Sequence, residues 1–203
     1  MQRMILLPRL LAVLLLGATL AQAQTPNTPL KVGAPIPDVT LRTADDTAVS
    51  LRKLVSEKPT VLIFYRGGWC PYCNRHLHAL AGIEQDLVAA GVQLIAISMD
   101  QPSQLKATPD REQLPYRLLS DSDATAVKAF GLAFTVDDAT IEKYKTYKID
   151  LEAASGQSHH ILPHPAVYIA GTNGVIRFAY FNPDYKIRLE PAKVLEAAKA
   201  AQR

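Results

Sequence analysis

The chain has 203 residues, and its 22 Lys and Arg against 19 Asp and Glu give a formal charge of +3. Arg3 and Arg9 lie at the very start, so the body is nearly neutral, which argues against nucleic acid as the main partner. Hydrophobic residues make up 48% and there are only two cysteines, which suits one domain with a full core and excludes a disulfide-stapled framework.

Residues 1–23 read as a secretory signal. Arg3 and Arg9 supply positive charge, Leu10 to Leu20 is an apolar run, and Ala21-Gln22-Ala23 provides a small-x-small cleavage pattern. The run is shorter than the ~20 apolar residues a bilayer span needs, so no stable membrane insertion is expected. A retained N-terminal anchor is the alternative. The expected product is periplasmic or secreted and starts at Gln24, with a flexible arm over 24–31 and one domain over 32–203.

Ile36 to Leu41 reads as an edge strand, and Val49 to Val55 as a short strand with a helical turn. Val61 to Tyr65 is a continuous apolar run of strand formers, a central strand buried on both faces. Arg66-Gly67-Gly68 turns the chain. From Pro71 to about Ala90, Leu77, Leu80, Ile83 and Leu87 recur at helical spacing, and Gly91 ends the helix. Val92 to Ser98 is a second buried strand, so the unit is strand, helix, parallel strand. Helices follow near Ser103 to Asp110 and Asp123 to Phe130, with a strand at Tyr116 to Leu119 between them. A helical piece near Thr140 to Tyr147 leads to a polar loop with Gly156 and His159-His160. Ala166 to Ala170 and Val175 to Phe181 form a hairpin around Gly171-Thr172-Asn173-Gly174. Glu190 to Ala200 closes the chain as a helix.

The chemistry lies in Trp69-Cys70-Pro71-Tyr72-Cys73. A C-x-x-C at a strand-to-helix junction is a redox signature. Pro71 suits the first helical position, and the free N–H groups of that turn favour a thiolate at Cys70. A static disulfide over two intervening residues would stabilise little. Zinc would need two more ligands, and there is no second C-x-x-C. His76, His78, His159, His160 and His164 keep a metal reading open. Trp69 is either a core aromatic or part of a partner's docking surface. Arg66 is either an exposed loop charge or a group that holds a thiolate or peroxide oxygen.

Val61 to Cys73 (VLIFYRGGWCPYC), followed later by a proline before a hairpin, resembles the thioredoxin fold, an α/β class with a central mixed sheet flanked by helices. Leu118-Leu119-Ser120-Asp121 and Ala126 to Gly131 narrow the likeness to divergent peroxiredoxin-like proteins of the AhpC/TSA type that carry a C-P-Y-C site. The resemblance implies a cis bond at Pro165, with Pro163 as competitor. It places Cys73 at the peroxidatic position of P-x-x-x-T-x-x-C. Cys70 then stands for the threonine, Arg66 for the proline, and Pro165 for an activating arginine. A thioredoxin's buried Asp falls at Phe64, so Cys73 would lose its proton to another group, Glu84 and His76 being candidates.

Cys70, Cys73, Pro165, Trp69 and Arg66 form the expected site, with no cofactor implied. The leading expectation is an exported thiol–disulfide oxidoreductase in which Cys70 attacks and Cys73 resolves. Its partner would be a protein disulfide or dithiol, with a thiol reductant. The first alternative is a thiol peroxidase acting on hydroperoxides. The second is a copper-binding chaperone.

Overall fold

The computed structural model describes residues 28–108 and 110–202, so the expected signal sequence and the first half of the arm, residues 24–27, lie outside it. From Leu30 the chain is already anchored. Its backbone N–H donates to the Phe130 carbonyl at 3.1 Å and its side chain packs on the core.

Nine strands, eight α-helices and a 3-10 turn at Arg111–Gln113 follow among the described residues. In chain order they are β1 (Thr40–Arg42), β2 (Ala48–Ser50), α1 (Leu51–Glu57), β3 (Thr60–Phe64), α2 (Pro71–Ala81), α3 (Glu84–Ala89) and β4 (Gln93–Ser98). Then come α4 (Pro102–Lys106), β5 (Arg117–Ser120), α5 (Thr125–Ala129), β6 (Ala133–Thr135), α6 (Asp138–Thr146) and α7 (Leu151–Ser155). The last are β7 (Ile161–Pro163), β8 (Ala166–Ala170), β9 (Ile176–Phe181) and α8 (Pro191–Ala200).

Seven strands form one mixed sheet in the order β2-β1-β5-β4-β3-β8-β9. β3 pairs parallel with β4 and antiparallel with β8, which places it at the centre. Every residue of β3 and β8 is buried, as an apolar run covered on both faces requires. The period-2 pleat divides the core. Leu62 and Phe64 face a cluster with Leu51, Phe130 and Tyr168, while Val61 and Ile63 face one with Leu77, Leu80, Leu87 and Val194. Cys70 and Cys73 belong to the second cluster. This is the α/β thioredoxin-like architecture expected from the sequence.

Three local expectations need correction. The helix expected from Pro71 to Ala90 is two helices, because α2 stops at Gly82 and Ile83 takes a non-helical φ of −110° and ψ of 3° before α3. Glycine is a weak helix former, and the apolar spacing simply continues across the break. The stretch expected to be a polar loop contains α7 and then β7, which pairs antiparallel with β6 in a small second sheet. Asp150 caps α7 by accepting from the Ala153 N–H at 2.9 Å. Finally, Pro165 is not cis: every described peptide bond is trans. The His164 N–H donates to the Leu132 carbonyl at 2.9 Å and the Pro165 carbonyl accepts from Asn182, so the junction is fixed on both sides of the bond with the isomer that most X–Pro bonds take.

Candidate active site

β3 and β4 end side by side, and the loop from Tyr65 to Trp69 leaves the C-terminal edge of the sheet there. In an α/β sheet this edge is where functional groups gather. The Tyr65 N–H still donates to Ile97 at 3.0 Å. Two residues beyond β4, Asp100 reaches under the loop. Its Oδ2 accepts from the Gly68 N–H at 2.7 Å and from the Ser98 hydroxyl at 3.1 Å. The Gly68 carbonyl accepts from Asn74 Nδ2 at 2.7 Å, tying the loop to α2. A side chain at position 67 would force Trp69 and Asp100 to shift, since an added Cβ would lie 2.6 Å from Asp100 Oδ1.

Cys70 is the residue that caps α2, with φ −93° and ψ 114°, and Pro71 occupies the first helical position. The N–H groups of Cys73 and Asn74 both donate to the Cys70 carbonyl, at 3.0 and 3.1 Å. Cys73 therefore lies within the first turn, one turn below Cys70. Both are free thiols, and they are only 2% and 1% exposed. The two thiols are shifted in opposite directions. A hydrogen bond from the Cys73 thiol lowers the Cys70 pKa to about 6 against the cost of burial, with Arg66 and Arg188 adding positive charge. Burial, and then the Cys70 sulfur beside it, push Cys73 well above the ordinary thiol range. Cys70 is the thiol favoured as thiolate, with Cys73 as its hydrogen-bond donor.

Arg66 is not an exposed loop charge; it is 3% exposed. Its guanidinium carbon lies 4.4 Å from the Tyr185 ring centroid, 5.1 Å from Trp69 and 5.4 Å from Tyr144. Its Nη2 donates to the Tyr144 hydroxyl. Trp69 is half-buried, stands 5.9 Å from the Tyr144 ring, and packs on both core clusters. Pro165 is buried and its carbonyl accepts from the Asn182 N–H at 3.2 Å.

Four residues that sequence reasoning missed complete the site. Asp100 had a usable signal, as a lone acid just past a buried parallel strand. Burial raises its pKa to about 6. Tyr144, Tyr185 and Arg188 had none, because they come from α6 and from the segment after β9. Arg188 Nη2 donates to Cys73 Sγ at 3.3 Å. Among the described residues no carboxylate pairs with Arg66 or Arg188, and the buried Nε of each lacks a partner.

The side chain hydrogen-bonded to Cys73 is Arg188, not either of the bases suggested for it. His76 donates through Nε2 to the Leu189 carbonyl at 3.1 Å, and burial lowers its pKa to about 4. Glu84 lines a hollow of about 410 Å³ with Arg111 and Tyr116, away from the loop. The other histidines are dispersed. His78 faces Asp110, His159 meets the Ser122 carbonyl, His160 meets Glu152, and His164 stacks on Phe134. Among the described residues no three His, Cys, Asp or Glu side chains are grouped to hold a metal, so the histidine set that a copper carrier would need is not assembled around the dithiol.

Residues 32–179 match the model of the AhpC/TSA family. The chain belongs to the AhpC/TSA family. Peroxiredoxin Q of Suaeda salsa chloroplasts is 31% identical over 150 residues, covering 74% of this chain and 59% of that one. Peroxiredoxin bcp1 of Schizosaccharomyces pombe is 28% identical over 111 residues, covering 55% of this chain and 57% of its own length. This AhpC/TSA chain thus spans under three fifths of the length of these two curated relatives. Two solved structures share the fold. Peroxidoxin BcpB of Mycobacterium tuberculosis has a TM-score of 0.66 at 18% identity, over 84% of this chain and 97% of that one. Reduced Prx3 of Vibrio vulnificus, solved with hydrogen peroxide, has a TM-score of 0.67 at 20% identity, over 83% and 99%. Against the pattern P-x-x-x-T-x-x-C, this AhpC/TSA chain brings Cys70, Arg66 and Cys73 together, leaves Pro165 trans, and supplies two arginines from other positions.

Proposed function

We propose that the chain is a thiol-dependent peroxidase whose redox couple is Cys70 and Cys73. The observation that carries this is a Cys70 thiolate only 2% exposed and close to a buried, carboxylate-free Arg66. An oxidant of few atoms, such as a hydroperoxide, fits that access better than a protein disulfide does. Family membership supports the same order of readings, so the peroxidase stands ahead of the disulfide oxidoreductase that the C-x-x-C alone favours.

In the proposed cycle the Cys70 thiolate attacks one peroxide oxygen. An S–O bond forms, the O–O bond breaks, and the leaving oxygen takes a proton from water and departs as water or an alcohol. Arg66 stabilises the charge developing on that oxygen. Cys73 then attacks the Cys70 sulfenic acid. The S–S bond forms and water leaves, carrying the Cys73 proton. An external dithiol is oxidised as it reduces the Cys70–Cys73 disulfide and restores both thiols.

The test is stopped-flow oxidation of the reduced protein by hydrogen peroxide, beside its exchange with a model protein disulfide. A peroxide rate constant orders of magnitude above a free thiol, abolished by Cys70→Ser, is expected. A peroxide rate at the free-thiol level with fast protein-disulfide exchange would restore the oxidoreductase reading.

Export is proposed on the sequence pattern of residues 1–23. Intact-mass measurement of the protein from a periplasmic fraction should give a chain starting at Gln24. A full-length mass would sink that.

A further inference from the structure

We infer that Arg188 is the group that turns Cys73 into the resolving nucleophile once Cys70 has been oxidised. The inference rests on the reading of Cys70 as the attacking thiol.

The geometry begins with the segment between β9 and α8. Its start is built from local turns, in which Asn182 Oδ1 accepts from the Asp184 N–H and Asp184 Oδ1 from the Lys186 N–H, both at 2.9 Å. The Asn182 N–H fastens it to Pro165, and the Leu189 carbonyl accepts from His76 on α2. Tyr185 packs edge-on against Tyr72 with ring centroids 5.6 Å apart. Arg188 is thus held in place from both sides, with Nη2 3.3 Å from Cys73 Sγ. A guanidinium with no carboxylate partner and a buried, unpartnered Nε has desolvation to offset, and an anionic sulfur would do so.

In the reduced protein that anion is absent. The Cys73 proton serves the Cys70 thiolate, and the neighbouring negative sulfur and burial both oppose ionisation of Cys73. Oxidation of Cys70 removes its negative charge and its claim on that proton. Arg188 then remains as a positive group on the Cys73 sulfur. The groups around the dithiol do not compete in the neutral range. His76 stays neutral above its pKa of about 4, Tyr65 keeps its proton, and Asp100 lies on the Cys70 side. The resolving thiol is therefore protected until it is needed, and Arg188 makes it available.

A small neutral disulfide separates the two steps without peroxide. With 4,4′-dithiodipyridine at one equivalent, Cys70 attacks first, forming a Cys70–pyridyl disulfide and releasing one thiopyridone. Cys73 then attacks that bond, forming Cys70–Cys73 and releasing a second. Loss of a cation within a few ångströms disfavours thiolate by ~10- to 1,000-fold. The more basic thiolate recovers about half of that on a logarithmic scale. Stopped-flow absorbance at pH 8, where Cys70 is ionised without help from Arg188, should show the second release slowed about tenfold in Arg188→Gln, with the first within about threefold of wild type. Arg188→Lys should recover most of the loss. Equal slowing of both phases, an unchanged second phase, or no recovery with lysine would overturn the inference. A fast first phase in Cys70→Ser would put the attack on Cys73 and overturn both the inference and the assignment beneath it. Slow reaction with peroxide alone would sink the peroxidase reading and leave Arg188's role standing.

Discussion

The Arg66 guanidinium lies 4.4 Å from the centroid of the Tyr185 ring, joining the loop after β3 to the segment after β9. The contact buries a cation among aromatic faces rather than against a carboxylate. It also connects two stretches that have no local reason to meet.

That contact is made by the ring, not the hydroxyl. Tyr185→Phe should therefore leave thermal stability nearly unchanged. Tyr185→Ala should cost ~1–2 kcal/mol, the range for a partly desolvated cation–π contact with its packing. Chemical denaturation of the reduced proteins checks both. A comparable loss in the two variants would mean that the hydroxyl matters.

The low pKa of Cys70 depends first on the hydrogen bond from Cys73. Cys73→Ser keeps an O–H donor in that place and should hold the inflection of Cys70 alkylation near 6. Cys73→Ala removes the donor and should move the inflection up toward ~8.5, the ordinary thiol value. Iodoacetamide rates against pH give the answer. Identical profiles would show that the arginines and the helix N-terminus suffice without Cys73.

Burial raises Asp100 to about 6, above an ordinary carboxyl. The native protein then holds this proton more tightly than the unfolded chain does. Its contribution to stability is full below ~4 and is lost as pH rises through 6, by up to ~2–3 kcal/mol. Asp100→Asn keeps an acceptor for the Gly68 N–H and should flatten this dependence. Asp121, raised to about 7 by burial, titrates in both proteins and cancels in the difference. Denaturation midpoints between pH 4 and 7 test it. Parallel curves for the two proteins would contradict the prediction.

If Arg66 holds the leaving oxygen, Arg66→Gln should lower the peroxide rate constant by ~10²–10³, as for loss of a single oxyanion donor. Arg66→Lys should fall between, since lysine keeps the charge without the planar fork. The alkylation rate of Cys70 at pH 8, where it is ionised in all three, serves as the control. An equal drop in alkylation would mean that the substitution damaged the loop instead.

Much of the fold could be read locally. Val61 to Tyr65 and Val92 to Ser98 carry unbroken apolar runs, and the structure pairs β3 and β4 in parallel as those runs suggest. The hairpin around Gly171-Thr172-Asn173-Gly174 was equally plain, with Gly174 at a φ of +73° where other residues are strained. The break at Gly82 was not legible, because apolar spacing counts residues and does not notice two that leave the helix. Nor was the β6–β7 pair, whose strands are three residues each and 25 residues apart, from Thr135 to Ile161.

What the sequence determined by itself is the dithiol. Two cysteines three apart, with proline at the first helical position, place one sulfur at the helix N-terminus and the other within its first turn, whatever the remainder of the chain does. The tertiary structure decided their environment. Arg66 became a buried cation only because α6 and the segment after β9 bring Tyr144 and Tyr185 over it. Arg188 met Cys73 across 115 residues of chain. Ionisation depends on through-space distance and on exclusion of water, and neither is encoded in local residue spacing.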